Sequence, residues 1–380
     1  MRLFTHAVTN RRRRKFFAAL LTLILAIGGM SLMSCAPKFG KYPEGERLER
    51  LQRSPNYGNG AFRNQVDTPP LAKGQGVLSA LLTGAFSKNV RLVPVAPVPS
   101  VKTDLKSLDA TKDTIVWLGH SSFFLLLGGK RILIDPVFND HAAPLPLFNR
   151  AFAGTNVYTA EDMPDIDYLL ITHDHWDHLD YPTVTALKPK VASAVCPLGV
   201  GAHLEYWGYG KETIHEGDWY DAFTPQGDFT VRLLPARHFS GRLLTRNKTL
   251  WTAFSLETPA RRVFISGDSG YAPHFAEIGH KLGGFDLVIL ENGQYDTRWP
   301  YIHMVPEDTA QAALDLRAKT LIPAHSGRFA MARHPWDEPL KRLAAASQGK
   351  PYRFLTPVIG EPVFLDEEKQ TFSPWWEGRE

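Results

Sequence analysis

The sequence predicts an α/β fold built from two β-rich halves with helices on their outer faces. Short apolar, β-rich runs come in two bursts, the first opening near Thr114 and the second near Phe223, and helical patterns follow each burst. Side chains able to bind metal collect where those runs stop, the place where sheets present functional groups on loops.

The first burst holds β runs at 114–118, 123–127 and 131–135, the last two separated by Gly128-Gly129, a turn signal. A further run, 167–171, leads into a polar loop. Helical patterns follow at 182–187 and 201–207. The second burst spans about 223–266, and helices are expected at 271–282 and 306–318. The latter carries Glu307 and Asp308 in its first turn, favourable at the positive end of a helix.

The loop after 167–171 reads Ile171-Thr172-His173-Asp174-His175-Trp176-Asp177-His178-Leu179-Asp180. Strand residues alternate faces, so His173 and His175 can point the same way, as two ligands of one metal must. The chain then turns, and Asp177 and His178 can face a second metal beside the first. Pro182 suits a first helical turn, with Asp180 as its cap. Imidazole and carboxylate at this density suit zinc or a similar first-row metal better than a solvated loop. Further ligands are available: His238 ends the run 231–237, Asp268 ends 262–267, and His325 ends 320–324. Gly267 lets the backbone pass close to the site.

The pattern His-x-His-x-Asp-His at 173–178 resembles the signature of the metallo-β-lactamase superfamily. That resemblance implies a four-layer αββα sandwich, two mixed β-sheets flanked by helices, with a dinuclear metal site along one edge. It implies that one metal takes His173, His175 and His238, the other Asp177, His178 and His325, and that Asp268 bridges them. Two Zn2+ are expected, with iron or manganese also compatible with these donors.

Within the superfamily, Gly119-His120-Ser121-Ser122-Phe123, Ile134-Asp135-Pro136, Pro235-Ala236-Arg237-His238-Phe239-Ser240 and Gly267-Asp268-Ser269-Gly270-Tyr271 resemble N-acyl-phosphatidylethanolamine-hydrolysing phospholipase D and its bacterial relatives. So do Arg246 to Trp251, Tyr295-Asp296-Thr297-Arg298-Trp299 and His303-Met304-Val305-Pro306-Glu307. The similarity runs from about Ser54 to about Pro339. One departure stands out. After His325 that phospholipase has a tryptophan, whereas this chain has Ser326-Gly327-Arg328. The Gly-His-Ser start is shared with ascorbate-6-phosphate lactonases, which hydrolyse an ester.

Hydroxide generated between two cations makes a serine or cysteine nucleophile unnecessary. Asp268 and His303 are the expected catalytic residues, His303 as general acid where the phospholipase carries a site histidine. His120 and Asp135 are expected to support ligands rather than bind metal, because a metal-bound imidazole needs a partner for its other nitrogen. Asp174 is read as orienting the loop. His141, His203, His215, His274, His280 and His334 are read as ordinary surface or core residues. Tyr295, Trp299 and Phe239 are candidates for an acyl pocket or for core.

The chain has 380 residues, 44% of them hydrophobic and 22% charged, which fits one large globular domain with appendages. Its net charge of +4 comes from the N-terminus: Arg2, Arg11 to Arg14 and Lys15 have no acidic counterpart in residues 1–34. Beyond them 37 basic residues face 39 acidic ones, so no nucleic-acid partner is expected. The basic cluster, the apolar run 16–27 and the small residues before Cys35 have the layout of an export signal. Leu32-Met33-Ser34-Cys35 resembles a lipobox, and Arg13-Arg14-Lys15-Phe16-Phe17 a twin-arginine signal; an uncleaved anchor is the alternative. The only other cysteine, Cys196, is read as a buried inert thiol.

The organisation expected is therefore a signal peptide at 1–34, a tether and extension at 35–110, the hydrolase domain at 111–345 and a C-terminal tail packed on it at 346–380. Within the extension, Val77 to Phe86 is an apolar piece, either packed on the core or forming a lip for acyl chains. The expected function is a membrane-tethered dinuclear-metal phosphodiesterase of the cell envelope, anchored by lipidated Cys35 and facing a phospholipid or another small ester. A lactonase or other carboxylic-ester hydrolase is the alternative, and a non-catalytic metal-binding lipoprotein the third.

Overall fold

Two seven-stranded sheets pack face to face in the computed structural model, which describes residues 36–72, 74, 91–225, 227–242 and 245–379. The first sheet holds β3 (Thr114–Gly119), β4 (Ser122–Leu127), β5 (Lys130–Ile134), β6 (Ile166–Leu170), β7 (Val191–Pro197) and β8 (Ile214–Gly217) in chain order. Its outer edge, beside β3, is β16 (Pro362–Phe364). The second holds β9 (Ala222–Phe223), β10 (Thr230–Leu234), β11 (Ala253–Glu257), β12 (Arg262–Ile265), β13 (Leu287–Glu291), β14 (Thr320–Ala324) and β15 (Arg353–Phe354), again in chain order. Each sheet is mixed. Pairings are antiparallel from β16 to β5 and from β9 to β12, then parallel through the remaining strands.

Strand periodicity explains the layering. Along β4, Phe123, Leu125 and Leu127 face the second sheet, while Phe124 and Leu126 face outward. Along β13, Leu287 and Ile289 face inward, and Val288 and Leu290 outward. Strands buried on both faces need such unbroken apolar runs. Val184 and Leu187 of α2 (Tyr181–Leu187) and Leu204 of α3 (Gly201–Tyr206) cover the first sheet. Phe275 and Ile278 of α4 (His274–Leu282), Ala313 of α5 (Pro306–Asp315) and Leu343 of α6 (Glu338–Ala346) cover the second. The architecture is αββα.

Some boundaries differ from expectation. α4 begins three residues later than the pattern 271–282, because Pro273 fits the position before the first turn but not a helix interior. α5 stops at Asp315, since Arg317 takes a left-handed φ of +52°. Segment 346–380, set apart above as a tail, supplies an edge strand to each sheet. Residues 36–72 also carry regular structure, a helix α1 (Gly45–Gln52) and a hairpin of β1 (Tyr57–Gly58) with β2 (Ala61–Phe62).

The N-terminal segment is clamped onto the domain. The buried Arg242 guanidinium donates to the carbonyls of Lys38, Asp174 and Leu179 and lies 3.9 Å over the ring of Trp176. Among the described residues no helix is long and apolar enough to cross a membrane. The apolar run 16–27, Cys35 and the piece Val77 to Phe86 lie outside the described residues.

Candidate metal centre

All seven expected ligands converge on the edge where both sheets end. The loop after β6 turns at once: the amides of His178 and Leu179 both donate to the carbonyl of His175, at 3.2 and 2.8 Å. Asp180 then caps α2, accepting from the amide of Thr183 at 3.2 Å. This tight reversal puts His173 and His175 in one group and Asp177 and His178 in the next.

In the first group, Nδ1 of His175 lies 2.9 Å from Nε2 of His173 and 3.2 Å from Nε2 of His238. The Asp268 Oδ2 atom lies 3.8 Å from His173 Nε2 and 3.6 Å from His238 Nε2. In the second group, Asp268 Oδ1 lies 3.1 Å from both His178 Nε2 and His325 Nδ1. Asp177 Oδ2 is 3.3 Å from His178 Nε2 and 3.9 Å from His325 Nδ1. Asp268 thus presents one oxygen to each group, the arrangement a bridging carboxylate needs.

The donor set fits metal ions on this geometry. His173, His175, His238 and Asp268 form one cluster of ligand atoms, and His120, Asp177, His178 and His325 another. His178 Nε2 and Asp268 Oδ1, both facing the second group, are buried and make no hydrogen bond. Each such orphan costs about 1–3 kcal/mol, a cost that coordination would cancel. Burial and neighbouring imidazoles hold His173, His238 and His325 well below the ordinary histidine value. Burial also pushes Asp268 up to about 6, against the pull of His178. For His178, burial is outweighed by Asp268, Asp177 and Asp135, and the net direction is up. Cations among these groups would favour neutral imidazole and ionised carboxylate throughout.

The supports lie behind the ligands. Asp135 Oδ2 accepts from His178 Nδ1 at 2.8 Å and from the Thr172 hydroxyl at 2.6 Å, and its Oδ1 accepts from the Thr172 amide at 2.8 Å. His120 Nε2 meets Asp177 Oδ2 at 2.9 Å. His238 donates from Nδ1 to the carbonyl of Ile302 at 2.9 Å, which turns Nε2 toward the first group. Asp174 is buried and belongs to neither ligand group, accepting from the Gly241 amide and the Thr249 hydroxyl, with His203 3.3 Å distant. It ties the loop to Gly241 and Thr249, which lie between β10 and β11. His120, Asp135 and His325 all have positive φ, of 54°, 41° and 61°. Strain of about 1–3 kcal/mol each is stored where the site is built. Gly267 also has positive φ, and an added Cβ would lie 2.9 Å from Thr172 Cβ.

His303 lies against this centre, its ring 5.0 Å from that of His325 and 5.1 Å from that of His238. A cavity of about 550 Å³ opens over the ligands, with Phe239, Trp299 and Met331 in its apolar wall and Arg246 at its edge. A neighbouring cavity of about 700 Å³ shares His303, Arg298 and Arg333 with it. Tyr295 lines this second cavity, where its hydroxyl donates to Glu338 at 2.7 Å. Arg328, in the stretch that departs from the phospholipase pattern, is buried and donates to the carbonyls of Val137 and Asn139 and to Asn156.

Three participants escaped the sequence reading. Glu291 is wholly buried at the end of β13, with Oε2 2.8 Å from His303 Nδ1. Burial pushes its carboxyl well above the ordinary value and His303 below its own. An acid closing the apolar run 287–290 was the available signal, the same one that exposed Asp268. Asn64 brackets His238 through both backbone groups, and Ser121 Oγ lies 3.0 Å from His325 Nδ1. Cys196 is buried, and burial raises its thiol well above the ordinary value, so it is inert.

Comparison with known proteins agrees with this geometry. The profile of the β-lactamase superfamily domain matches residues 130–326. An uncharacterised protein of Mycobacterium tuberculosis is 37% identical over 86% of this chain and 88% of its own. The N-acyl-phosphatidylethanolamine-hydrolysing phospholipase D 1 of Caenorhabditis elegans is 32% identical over 64% of this chain and 74% of its own. A UPF0173 metal-dependent hydrolase of Ligilactobacillus salivarius is 30% identical over 57% of this chain and 85% of its own.

Proposed function

The chain belongs to the metallo-β-lactamase superfamily, and from that premise we propose that this metal-dependent hydrolase is a zinc phosphodiesterase of the N-acyl-phosphatidylethanolamine phospholipase D type. The observation that carries the reading is the pair of cavities meeting at His303. A diester has two arms on one central atom, and a chamber over the ligands with a neighbour reached past His303 suits it better than it suits a lactone. The apolar chamber, walled by Phe239, Trp299 and Met331, suits an acyl-bearing arm, and Arg246 at its edge suits the phosphate charge.

His173, His175 and His238 would hold one cation, Asp177, His178 and His325 the other, with Asp268 between them. Cations so held would lower the pKa of water and draw charge from the phosphoryl oxygens. The residues do the rest. His120 and Asp135 fix the second group, the Ile302 carbonyl fixes His238, and His303 gives a proton to the departing oxygen. Zinc is the metal proposed because imidazole and carboxylate at tetrahedral number suit it.

The proposal includes a membrane tether through lipidated Cys35 at the cell envelope. Its support is that Ala36–Phe39 packs directly on the metal loop, Phe39 and Trp176 lying edge to face at 5.3 Å. Beside it, Lys38 donates to the carbonyl of Pro144, and the adjacent Leu147 and Phe148 are 83% and 59% exposed, as a bilayer-facing rim requires.

The test is to purify the protein lacking residues 1–35, count its metals, and assay bis(p-nitrophenyl) phosphate beside a panel of lactones. About two zinc ions with diester turnover support the reading. Ester turnover alone moves the assignment to a lactonase, and binding without any turnover to a metal-binding lipoprotein.

A further inference from the structure

Glu291 clusters with Asp268, His303 and His325 at the side of the metal groups, and it is one of the most completely buried acids among the described residues. Both of its oxygens are engaged. Oε1 accepts from the amide of Met304 at 2.5 Å, and Oε2 faces Nδ1 of His303 at 2.8 Å. The backbone on either side of the carboxylate is also pinned: its amide donates to Ser266 Oγ, and its carbonyl accepts from Thr309 Oγ1. Glu291 therefore grips two consecutive residues, His303 by its ring and Met304 by its main chain. The ring is held on its face as well, stacked on His325 at an interplanar angle of 17°. With Nδ1 committed to Glu291, Nε2 is the nitrogen left for the cavities, which meet at this side chain. A carboxylate ligand would need an oxygen aimed at the metal groups, and Glu291 has none to spare.

We propose that Glu291 is the positioning residue of the reaction: its carboxyl donates from Oε2–H to Nδ1 of His303, which fixes the Nε2–H tautomer and aims it at the leaving oxygen. This rests on the phosphodiesterase reading. The oxygen of water bonds to phosphorus, and the bond from phosphorus to the departing oxygen breaks. The electron pair stays on that oxygen, which takes the proton of His303 Nε2 and leaves as an alcohol, while the Glu291 proton passes to Nδ1 and keeps the ring neutral. One hydrogen of the water remains on the phosphate, and the other replaces the proton that His303 gave. A leaving group that is stable as an anion gains nothing from that proton, whereas an alkoxide depends on it.

The leaving group therefore reports the role. The full chain is assayed in detergent with bis(p-nitrophenyl) phosphate, whose leaving group is a stable phenolate, and on vesicles containing N-acyl-phosphatidylethanolamine, whose leaving group is an alkoxide. Glu291→Gln should lower kcat on the lipid about 10- to 100-fold with KM unchanged, and change p-nitrophenyl turnover by less than about 3-fold. His303→Asn should show the same selectivity, and adding Glu291→Gln to it should cost nothing more. Histidine nitrogen NMR gives a readout without turnover: the Nε2–H form of His303 should dominate in the native chain and persist in Glu291→Gln, whose amide donates to Nδ1 but has no proton to pass on, whereas an Nδ1–H form in the native chain overturns the proposal. Glutamine matches glutamate in shape and can still accept from Met304, so metal content and melting temperature should hold; loss of either makes Glu291 a structural acid and overturns the proposal. So does an equal loss on both substrates while His303→Asn remains selective. Failure of the reading beneath it looks different. A native chain that cleaves neither diester but cleaves carboxylic esters removes the phosphodiesterase assignment, and aryl against alkyl esters then decide Glu291 by the same selectivity.

Discussion

In the N-terminal half, β5 ends at Ile134 before Asp135, and its parallel neighbour β6 runs into the loop that carries His173 to His178. In the C-terminal half, β12 ends at Ile265 just before Asp268, and its parallel neighbour β13 ends on Glu291. The strand plan is the same: antiparallel strands, a switch to parallel pairing, and an acid at the switch. The outputs differ. Four ligands come from six consecutive residues in the first half, whereas the second delivers His238, Asp268 and His325 from the ends of three strands and adds the His303–Glu291 pair. One half builds by local turn geometry, the other by register between strands. Damage to the second half should therefore act through the backbone, and damage to the first through individual side chains.

The acid at each switch has a different job, and the largest expected effect tests that. Asp268→Asn touches both ligand groups, so it should lower metal content in both and reduce turnover by more than about 100-fold, the upper cost of a lost outer partner. Asp135→Asn removes only the partner of His178 Nδ1. It should weaken metal binding about 10- to 100-fold in the Asp177, His178 and His325 group alone. Competitive chelation followed by metal counting would then pass through a one-metal stage absent from the native chain; simultaneous loss of both metals would break the distinction between the two acids.

The register argument predicts a backbone effect next. A Cβ on Gly293 would sit 2.3 Å from the carbonyl oxygen of His325. Gly293→Ala should destabilise by about 1–3 kcal/mol, read in thermal melting, and loosen His325 without touching any ligand side chain. The smallest effect is on acid stability. Burial, with Arg237 nearby, lowers His274 to about 3, and its Nε2 lies 3.2 Å from Ser269 Oγ, next to Asp268. The folded chain keeps this imidazole neutral while the unfolded chain protonates it near the ordinary value of 6.5, so stability is lost as pH falls through that value. Between pH 6.5 and 5.5 the native chain should lose about 1 kcal/mol more than His274→Gln, measured by urea unfolding.

What could be read from the sequence follows the same division. The loop at 173–178 was legible because its ligands are neighbours in the chain, and the apolar runs of β4 and β14 were legible because both faces are buried. The sandwich itself and the pairing of ligands into two groups came from family resemblance, since no periodicity states which strand ends meet. Glu291 was missed because an acid closing an apolar run reads as a strand end until a histidine twelve residues later is folded back onto it. β15 and β16 were missed because strands of two or three residues carry no period. α1 lies in a stretch whose Pro and Gly content hides a short helix.

The edge strand β16 sets an order of events. Val363 pairs with Ile115, so the first sheet is finished by a strand made after all the others described, 248 residues beyond its partner. Until then β3 presents an open edge, and so long a loop closes slowly. The edge therefore stays uncovered while the intervening strands are made, and a truncation that spares every ligand but removes Pro362–Phe364 should yield protein that aggregates before it can be loaded with metal.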